Sequence, residues 1–176
     1  MHDDEKDARR LAATRLALIS ATLVYAAVAM TVVFAGPDVV VGHFGASGQP
    51  TRRDATGPFV LSLSLVLLGL LALFVSMPTL IRRIPIEFVN VPNRERWNTP
   101  ARRRVLARRL AADLNLIGVA TVLLLTSALV LSALGGIDVD LPGWIFLLML
   151  AAYLWCVGVL LVQMMVGKRY QPPADA

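Results

Sequence analysis

The stretch LNLIGVATVLLLTSALVLSAL, residues 114–134, contains no charged side chain. An α-helix rises about 1.5 Å per residue and the hydrocarbon core of a bilayer is about 30 Å thick, so a helix of this length can cross it. Three further charge-free apolar stretches cover residues 16–35, 59–81 and 141–166. Together the four stretches predict an all-α protein, an integral membrane four-helix bundle.

The composition of the whole chain agrees with this prediction. Of 176 residues, 57% are hydrophobic and 16% are charged, and the mean hydropathy is +0.67. Soluble domains are about 45–50% apolar and about 25% charged. These values exclude a soluble enzyme and a nucleic-acid-binding module. We therefore expect one membrane domain, residues 16–166, between charged tails at residues 1–15 and 167–176.

The distribution of Lys and Arg predicts the orientation in the membrane. Fifteen of the 17 basic residues lie before the first span, between the second and third spans, or after the fourth, and two lie in the first loop. Basic residues that flank spans are retained in the cytoplasm. We expect both termini to be cytoplasmic, in the plasma membrane of a bacterium, and the 23-residue loop 36–58 to form an ordered outer cap. The excess of Arg over Lys suggests a GC-rich bacterial genome.

Aromatic and single polar residues refine this topology. Phe34, Phe59 and Trp144 are expected at the outer membrane interface, and Trp97 and Tyr170 at the inner one. The lone Cys156 excludes an intramolecular disulfide and is interpreted as a small packing residue of the fourth span.

Two segments allow alternative interpretations. The first span resembles the apolar part of a signal peptide, but its length of 20 residues and the acidic residues before it favour a retained helix. Pro78 predicts a kink or an early helix end near Ser76, either as a hinge or simply as the end of the second span. The short loop Gly135 to Asp140 predicts an antiparallel pair of helices 3 and 4, with helices 1 and 2 as the other pair.

The segment between the second and third spans is rich in arginine. Thr99 followed by Pro100 is a helix-start signal, and we expect an amphipathic helix that leads into the third span. Its basic residues are candidates for contact with anionic lipids of the inner leaflet or with a cytosolic regulatory protein, or they anchor the topology alone. These residues are Arg102, Arg103, Arg104, Arg108 and Arg109.

Residues capable of catalysis are scarce. No Asp, Glu, Lys, Arg or His lies inside the four spans, and neither of the two histidines has neighbours with metal-ligand spacing, so no metal, cofactor or enzymatic activity is expected. Asp113 is placed to pair with Arg109, and Asn115 to bond with Gln163 across helices.

The first loop and the arginine-rich segment carry a family resemblance. Pro37, His43-Phe44, Gly48 and Pro50, placed between two spans, resemble the loop of small bacterial membrane proteins related to the Sdp toxin-immunity protein. A second string, Asn90, Pro92 and Asn93 followed by Trp97, is similar to the inner loop of many members.

The resemblance covers about residues 20 to 100 and implies a module of unknown function with a ligand- or partner-binding outer loop. Members commonly carry an acidic residue where this chain has Thr51, and a lysine where it has Gly57 and Pro58. The immunity proteins also have further spans. With these departures, the resemblance implies the fold and the outer loop rather than toxin immunity itself.

The function expected from the sequence is that of a non-enzymatic sensor, immunity factor or membrane accessory protein. In that interpretation, His43 recognises a ligand or responds to pH, or its ring only bonds the loop backbone. The alternative function is a transport component, which requires a homo-oligomer because a single copy offers no polar path.

Overall fold

The computed structural model describes residues 2–45, 49–89, 94–139, 142–166 and 170. Four helices in this part of the chain are long and apolar enough to cross a membrane, as predicted. A two-stranded antiparallel hairpin, which the sequence did not indicate in detail, lies between the first two helices. The elements are α1 (His2–Ala35), β1 (Val39–Phe44), β2 (Pro50–Ala55), α2 (Thr56–Arg83), two short 3-10 turns (Ile86–Phe88 and Arg94–Trp97), α3 (Pro100–Gly136) and α4 (Trp144–Val166).

Helix boundaries differ from the predicted spans where polar residues continue a helix. α1 begins at His2, so most of the charged N-terminal segment is helical rather than a separate tail. α2 passes through Pro78 and ends at Arg83, so the expected early end near Ser76 is wrong. The Ser76 hydroxyl donates to the Leu73 carbonyl at 3.0 Å in the turn before Pro78.

α3 is the central helix. It packs against α1, α2, α4 and β1, and its pairing with α1 is the most extensive between helices. α1 and α2 touch each other little, so their predicted pairing is wrong, while the predicted antiparallel pairing of α3 with α4 is confirmed. α1 and α3 run parallel. We call the end at which α3 starts the arginine end and the end at which it stops the hairpin end.

The interface between α1 and α3 is built from small and medium-sized side chains. The buried residues of α1 recur every three or four positions, the spacing of a left-handed helix pair: Leu18, Ala21, Tyr25, Ala29 and Val32. They pack against Val122 and Leu129 of α3. Gly118 lies where three helices meet, because a Cβ there would stand 3.0 Å from Leu18 of α1 and 3.3 Å from Phe74 of α2.

α4 lies at the edge of the bundle. None of its residues is buried, and large side chains such as Trp155 and Leu147 are more than half exposed. Cys156 is exposed as well, so its predicted role in core packing is wrong: α4 packs mainly on α3, and Cys156 lies outside that contact.

A second apolar cluster closes the arginine end. Trp97 and Tyr170 are fully buried there against Leu106 and Leu110 of α3 and Ile86 of the first 3-10 turn. The prediction that Trp97 and Tyr170 face the lipid interface is therefore wrong. The segment after α2 folds back and places Trp97 over the first turns of α3, and the hydroxyl of Tyr170 donates to the buried Asp113 carboxylate. Phe34 and Trp144 are largely exposed at the hairpin end, as an interfacial position requires.

Candidate functional site

The hairpin packs on the end of α3 through apolar side chains. Val40 and Val41 of β1 have no exposed surface. Val41 pairs with Arg53 of β2 and His43 pairs with Arg52, and the strand register is irregular between these two pairs. At Gly42 a Cβ would overlap the Asp54 carboxylate of the other strand. The irregular register turns His43 outward, where it is exposed, while Phe44 remains half-buried.

Two glycines allow this close approach. A Cβ on Gly135 would stand 2.8 Å from Val41 Cγ2, and one on Gly136 would overlap the backbone oxygen of Val39. The hairpin also reaches α4, because the rings of Phe44 and Phe146 lie with their centroids 4.3 Å apart. The hairpin thus contacts both α3 and α4 at the hairpin end.

Polar contacts attach the hairpin to the neighbouring chain. Thr56, the buried first residue of α2, donates its backbone N–H to the Asp38 carbonyl at 3.0 Å, and its hydroxyl donates to the Pro37 carbonyl. Arg53 forms an exposed ion pair of 2.7 Å with Asp138, whose φ is +58° in the turn after α3.

A crevice opens between the hairpin and the helices. It has a volume of about 410 Å³, and we call it the hairpin crevice. Its floor includes Ser132, which is 6% exposed and whose hydroxyl has no hydrogen-bond partner among the described residues. The crevice is lined by residues 41–45 of the hairpin, Phe59 of α2, Ala128 and Ser132 of α3, and Gly143, Phe146 and Leu147 near the start of α4.

The structure brings together some of the loop residues that the sequence singled out. His43 and Phe44 both line the hairpin crevice. Pro37 does not; it lines a separate groove of about 610 Å³ between α1 and α3. Pro50 is exposed at the start of β2, opposite Phe44. Gly48 lies outside the described residues, as do Asn90, Pro92 and Asn93 of the second motif.

The arginine end contains a layer of buried charged and polar groups that we call the ion-pair layer. Asp7 of α1 accepts from Arg109 Nε at 2.7 Å, with side chains that are 12% and 10% exposed. Asp113 accepts from Arg10 at 3.0 Å and from the Tyr170 hydroxyl at 2.6 Å. These contacts join α1, α3 and the C-terminal segment.

Two sequence predictions change at this layer. Arg109 is only 8% exposed, so its predicted contact with lipid or a regulator is wrong; the carboxylate of Asp7 draws it into the interior. Asn115 donates to the Thr14 hydroxyl of α1 at 3.3 Å and not to Gln163, which is exposed on α4. The burial of Asp7 and Thr14 could have been predicted from the sequence. Both continue, toward the N-terminus, the spacing of three or four residues that marks the buried face of α1.

A basic cavity of about 410 Å³ lies at the same end of the bundle, and we call it the arginine pocket. It is lined by Arg82 of α2, Asn98, and Pro100, Arg103 and Arg104 of α3. Arg82 was not among the predicted contact residues, although it directly follows the second predicted span.

The other predicted arginines have different roles. Arg102 donates to the backbone oxygen of Arg96 at 3.1 Å, and its Nε is buried without a hydrogen-bond partner in the described part of the chain. Arg108 is half-buried and does not line the arginine pocket. Of the five predicted residues, Arg103 and Arg104 thus line the pocket.

The two ends of the bundle offer different ligand chemistry. The hairpin crevice supplies aromatic rings, one hydroxyl and an imidazole, which suits the binding of an apolar ligand. The arginine pocket supplies guanidinium groups, which suit an anion. No three His, Cys, Asp or Glu side chains are grouped to hold a metal ion within the residues that the structure describes.

Comparison of the chain with family models, curated proteins and solved structures finds no match. The likeness to Sdp-immunity-type proteins consequently stays a prediction based on the loop residues. What is established is a multi-pass architecture of four apolar, membrane-length helices with a hairpin between the first two.

Proposed function

We propose that this chain is a non-enzymatic protein of the bacterial plasma membrane that binds an apolar extracytoplasmic ligand, such as a segment of a membrane-active peptide, in the hairpin crevice. The single observation that carries the proposal is a crevice of about 410 Å³ between a hairpin fixed by glycine contacts and the ends of three helices. The role is that of a sensor or immunity factor of the kind that the Sdp-like loop suggests.

The proposed orientation places the hairpin end outside and the arginine end, with both termini, in the cytoplasm. Support comes from the charge distribution, with fifteen basic residues on one side and two on the other. The fold is consistent with it, because Asp7 of α1 and Tyr170 both contact residues of α3 at the arginine end.

The chemistry of the crevice favours a peptide with apolar side chains. Phe44, Phe59 and Phe146 supply apolar walls, and the Ser132 hydroxyl is available for a backbone amide. His43 is exposed beside the opening. Burial of one large apolar side chain contributes about 1.5–3 kcal/mol, enough for specific binding when a few polar groups orient the ligand.

The test measures survival of cells exposed to a panel of membrane-active peptides, with protein level checked in parallel. Phe44→Ala removes a crevice wall, Ala128→Leu fills the crevice, and His43→Ala removes the imidazole. We expect Phe44→Ala to lower protection about tenfold, the loss of one apolar contact of this size. Ala128→Leu should lower it by a similar factor because it excludes the ligand, and His43→Ala should lower it less. Gln49→Ala, exposed on the hairpin outside the crevice, is the control and keeps full protection.

One result would remove the crevice from the mechanism. It is unchanged survival for all three crevice variants in cells where deletion of the whole gene does increase sensitivity.

Transport by a homo-oligomer is the second candidate. The exposed surface of α4 favours it, since a helix without a single buried residue has room for contact with a second copy. Native mass measurement and ion flux into liposomes separate the two functions. A peptide-binding monomer gives no flux, whereas a transport component gives a defined oligomer and flux that depends on α4.

A further inference from the structure

The arginine pocket holds positive charge that no carboxylate among the described residues neutralises. Elsewhere in the chain Arg9, Arg10, Arg52, Arg53 and Arg109 each form an ion pair with an acidic side chain. The described residues that line the pocket include no acidic one, and Arg82 and Arg104 have no hydrogen-bond or ion-pair partner within the described ranges. Guanidinium groups gathered around a cavity in this way are suited to an anion.

Two of the pocket residues are held in place by the fold. Arg103 donates to the Ile84 carbonyl at 2.8 Å and to the Asn98 side-chain oxygen at 3.3 Å. Because the Asn98 oxygen accepts this bond, its amide nitrogen remains as a donor. The fully buried Trp97 fixes the chain immediately before Asn98. Packing and hydrogen bonds therefore fix one wall of the pocket, at Asn98 and Arg103, while Arg82 and Arg104 reach the cavity from the exposed surface.

The start of α3 adds to the positive potential. Thr99 caps the helix by accepting from the Arg102 N–H at 3.3 Å, and Pro100 is its first residue. The N-terminal end of a helix carries a partial positive charge, which favours a phosphate group there. Arg82 approaches the same cavity from the last turn of α2.

The position of the pocket identifies the source of the phosphate. Leu80, just before Arg82, is 47% exposed on a helix of membrane length, and Phe88, just after α2, is 78% exposed. The exposed apolar surface of the helix ends here and charged residues begin, as expected at the level of lipid headgroups. An anion in the pocket therefore lies at headgroup level. Acyl chains attached to that anion would continue along the exposed apolar residues.

We propose that the arginine pocket binds the phosphate of an anionic phospholipid headgroup, with Arg82 and Arg104 as the direct ligands and Arg103 and Asn98 as the preorganised wall. This site is independent of the hairpin crevice and of its proposed ligand. A lipid headgroup and a soluble phosphate compound both carry a phosphate group. Of these two sources, we assign the bound phosphate to a lipid.

The test uses the full-length protein purified in detergent. Retention of phosphatidylglycerol is compared with that of phosphatidylcholine by native mass spectrometry, and the melting temperature is followed on addition of each lipid. The pocket variant is Arg82→Gln with Arg104→Gln. The matched control is Arg9→Gln with Arg15→Gln, which removes the same charge from two exposed residues of α1 near the same end.

We expect the wild type and the control to prefer phosphatidylglycerol, and the pocket variant to lose about tenfold of that preference. Both pocket residues are exposed, so the variant should melt like the wild type without lipid. Equal preference in the wild type and the pocket variant would overturn the site. If inorganic phosphate displaces the lipid and raises the melting temperature as much as the lipid does, the assignment to a lipid is overturned.

Discussion

At the hairpin end α3 meets β1 through two glycines and buried valines, whereas at the arginine end it meets α1 through ion pairs, one of them almost fully buried. Apolar packing without directional bonds tolerates small adjustments as long as volume is conserved. A buried ion pair does not, because a shift of either partner leaves a charge in a medium of low dielectric constant. The two ends are therefore expected to respond differently to substitution.

This contrast suits the functions proposed for the two ends. The ion-pair layer fixes the register between the parallel helices α1 and α3, since Asp7 reaches Arg109 and Arg10 reaches Asp113 one turn further along. A fixed register supplies a rigid base for the arginine pocket. The hairpin crevice is enclosed by apolar surfaces and can accommodate ligands of slightly different shape.

The largest expected effect is at the centre of the ion-pair layer. Arg109→Ala removes the guanidinium that pairs with the buried Asp7 carboxylate, and we expect the free energy of unfolding to fall by about 3–5 kcal/mol. Replacing both residues by leucine should cost much less, because no charge is left behind. Denaturation of the purified protein in mixed micelles measures both.

The control for this prediction is Arg9→Ala. Its partner is Glu5, and the side chains of the pair are 80% and 62% exposed, so the loss should be below about 1 kcal/mol. If Arg109→Ala costs no more than Arg9→Ala, the ion-pair layer does not hold the helices together.

A smaller effect is expected where the hairpin rests on α3. Gly136→Ala places a methyl group against the backbone oxygen of Val39 and 2.9 Å from Pro37 Cγ, so the hairpin must move. Overpacking of this kind costs about 1–3 kcal/mol. Thermal unfolding and the protection assay should both show the change, since the neighbouring Gly135 lies against Phe44 of the crevice.

Gly158→Ala is the matched control. Gly158 lies inside α4, and a Cβ added there would have no atom within 4 Å, so alanine should be neutral or stabilise the helix by about 0.5–1 kcal/mol. A loss of stability at Gly158 equal to that at Gly136 would mean that the glycine contacts do not explain how the hairpin is held.

Periodicity and hydropathy predict the helices of this chain well, because a run of twenty or more apolar residues has one stable form in a bilayer. They do not predict which helices are neighbours. The short loop between α3 and α4 allowed one pairing to be inferred, but the pairing of α1 with α3 depends on contacts between residues about a hundred positions apart, such as Asp7 with Arg109. No local rule connects them.

The candidate sites divide in the same way. His43 and Phe44 could be singled out because an aromatic and an imidazole between glycines are unusual in a simple connector. Phe146 and Ser132, which complete the crevice, lie within apolar helices where nothing in the sequence distinguishes them. In the sequence Arg82 marks only the end of a span, because its proximity to Arg103 follows from the fold of the segment between α2 and α3.

The smallest expected effect is at the ion pair that joins the hairpin to the turn after α3. Arg53→Gln removes the contact of 2.7 Å with Asp138, but the two side chains are 45% and 81% exposed, and such pairs contribute about 0.2–1 kcal/mol. Unfolding at low and high salt checks this value, because screening should reduce the difference between variant and wild type further. Val40 and Val41 remain buried in the variant, so the hairpin should keep its place and the protection assay should be unchanged. A loss as large as that of Arg109→Ala would show that charge holds the hairpin end as well, and neither burial nor the kind of contact would then separate the two ends.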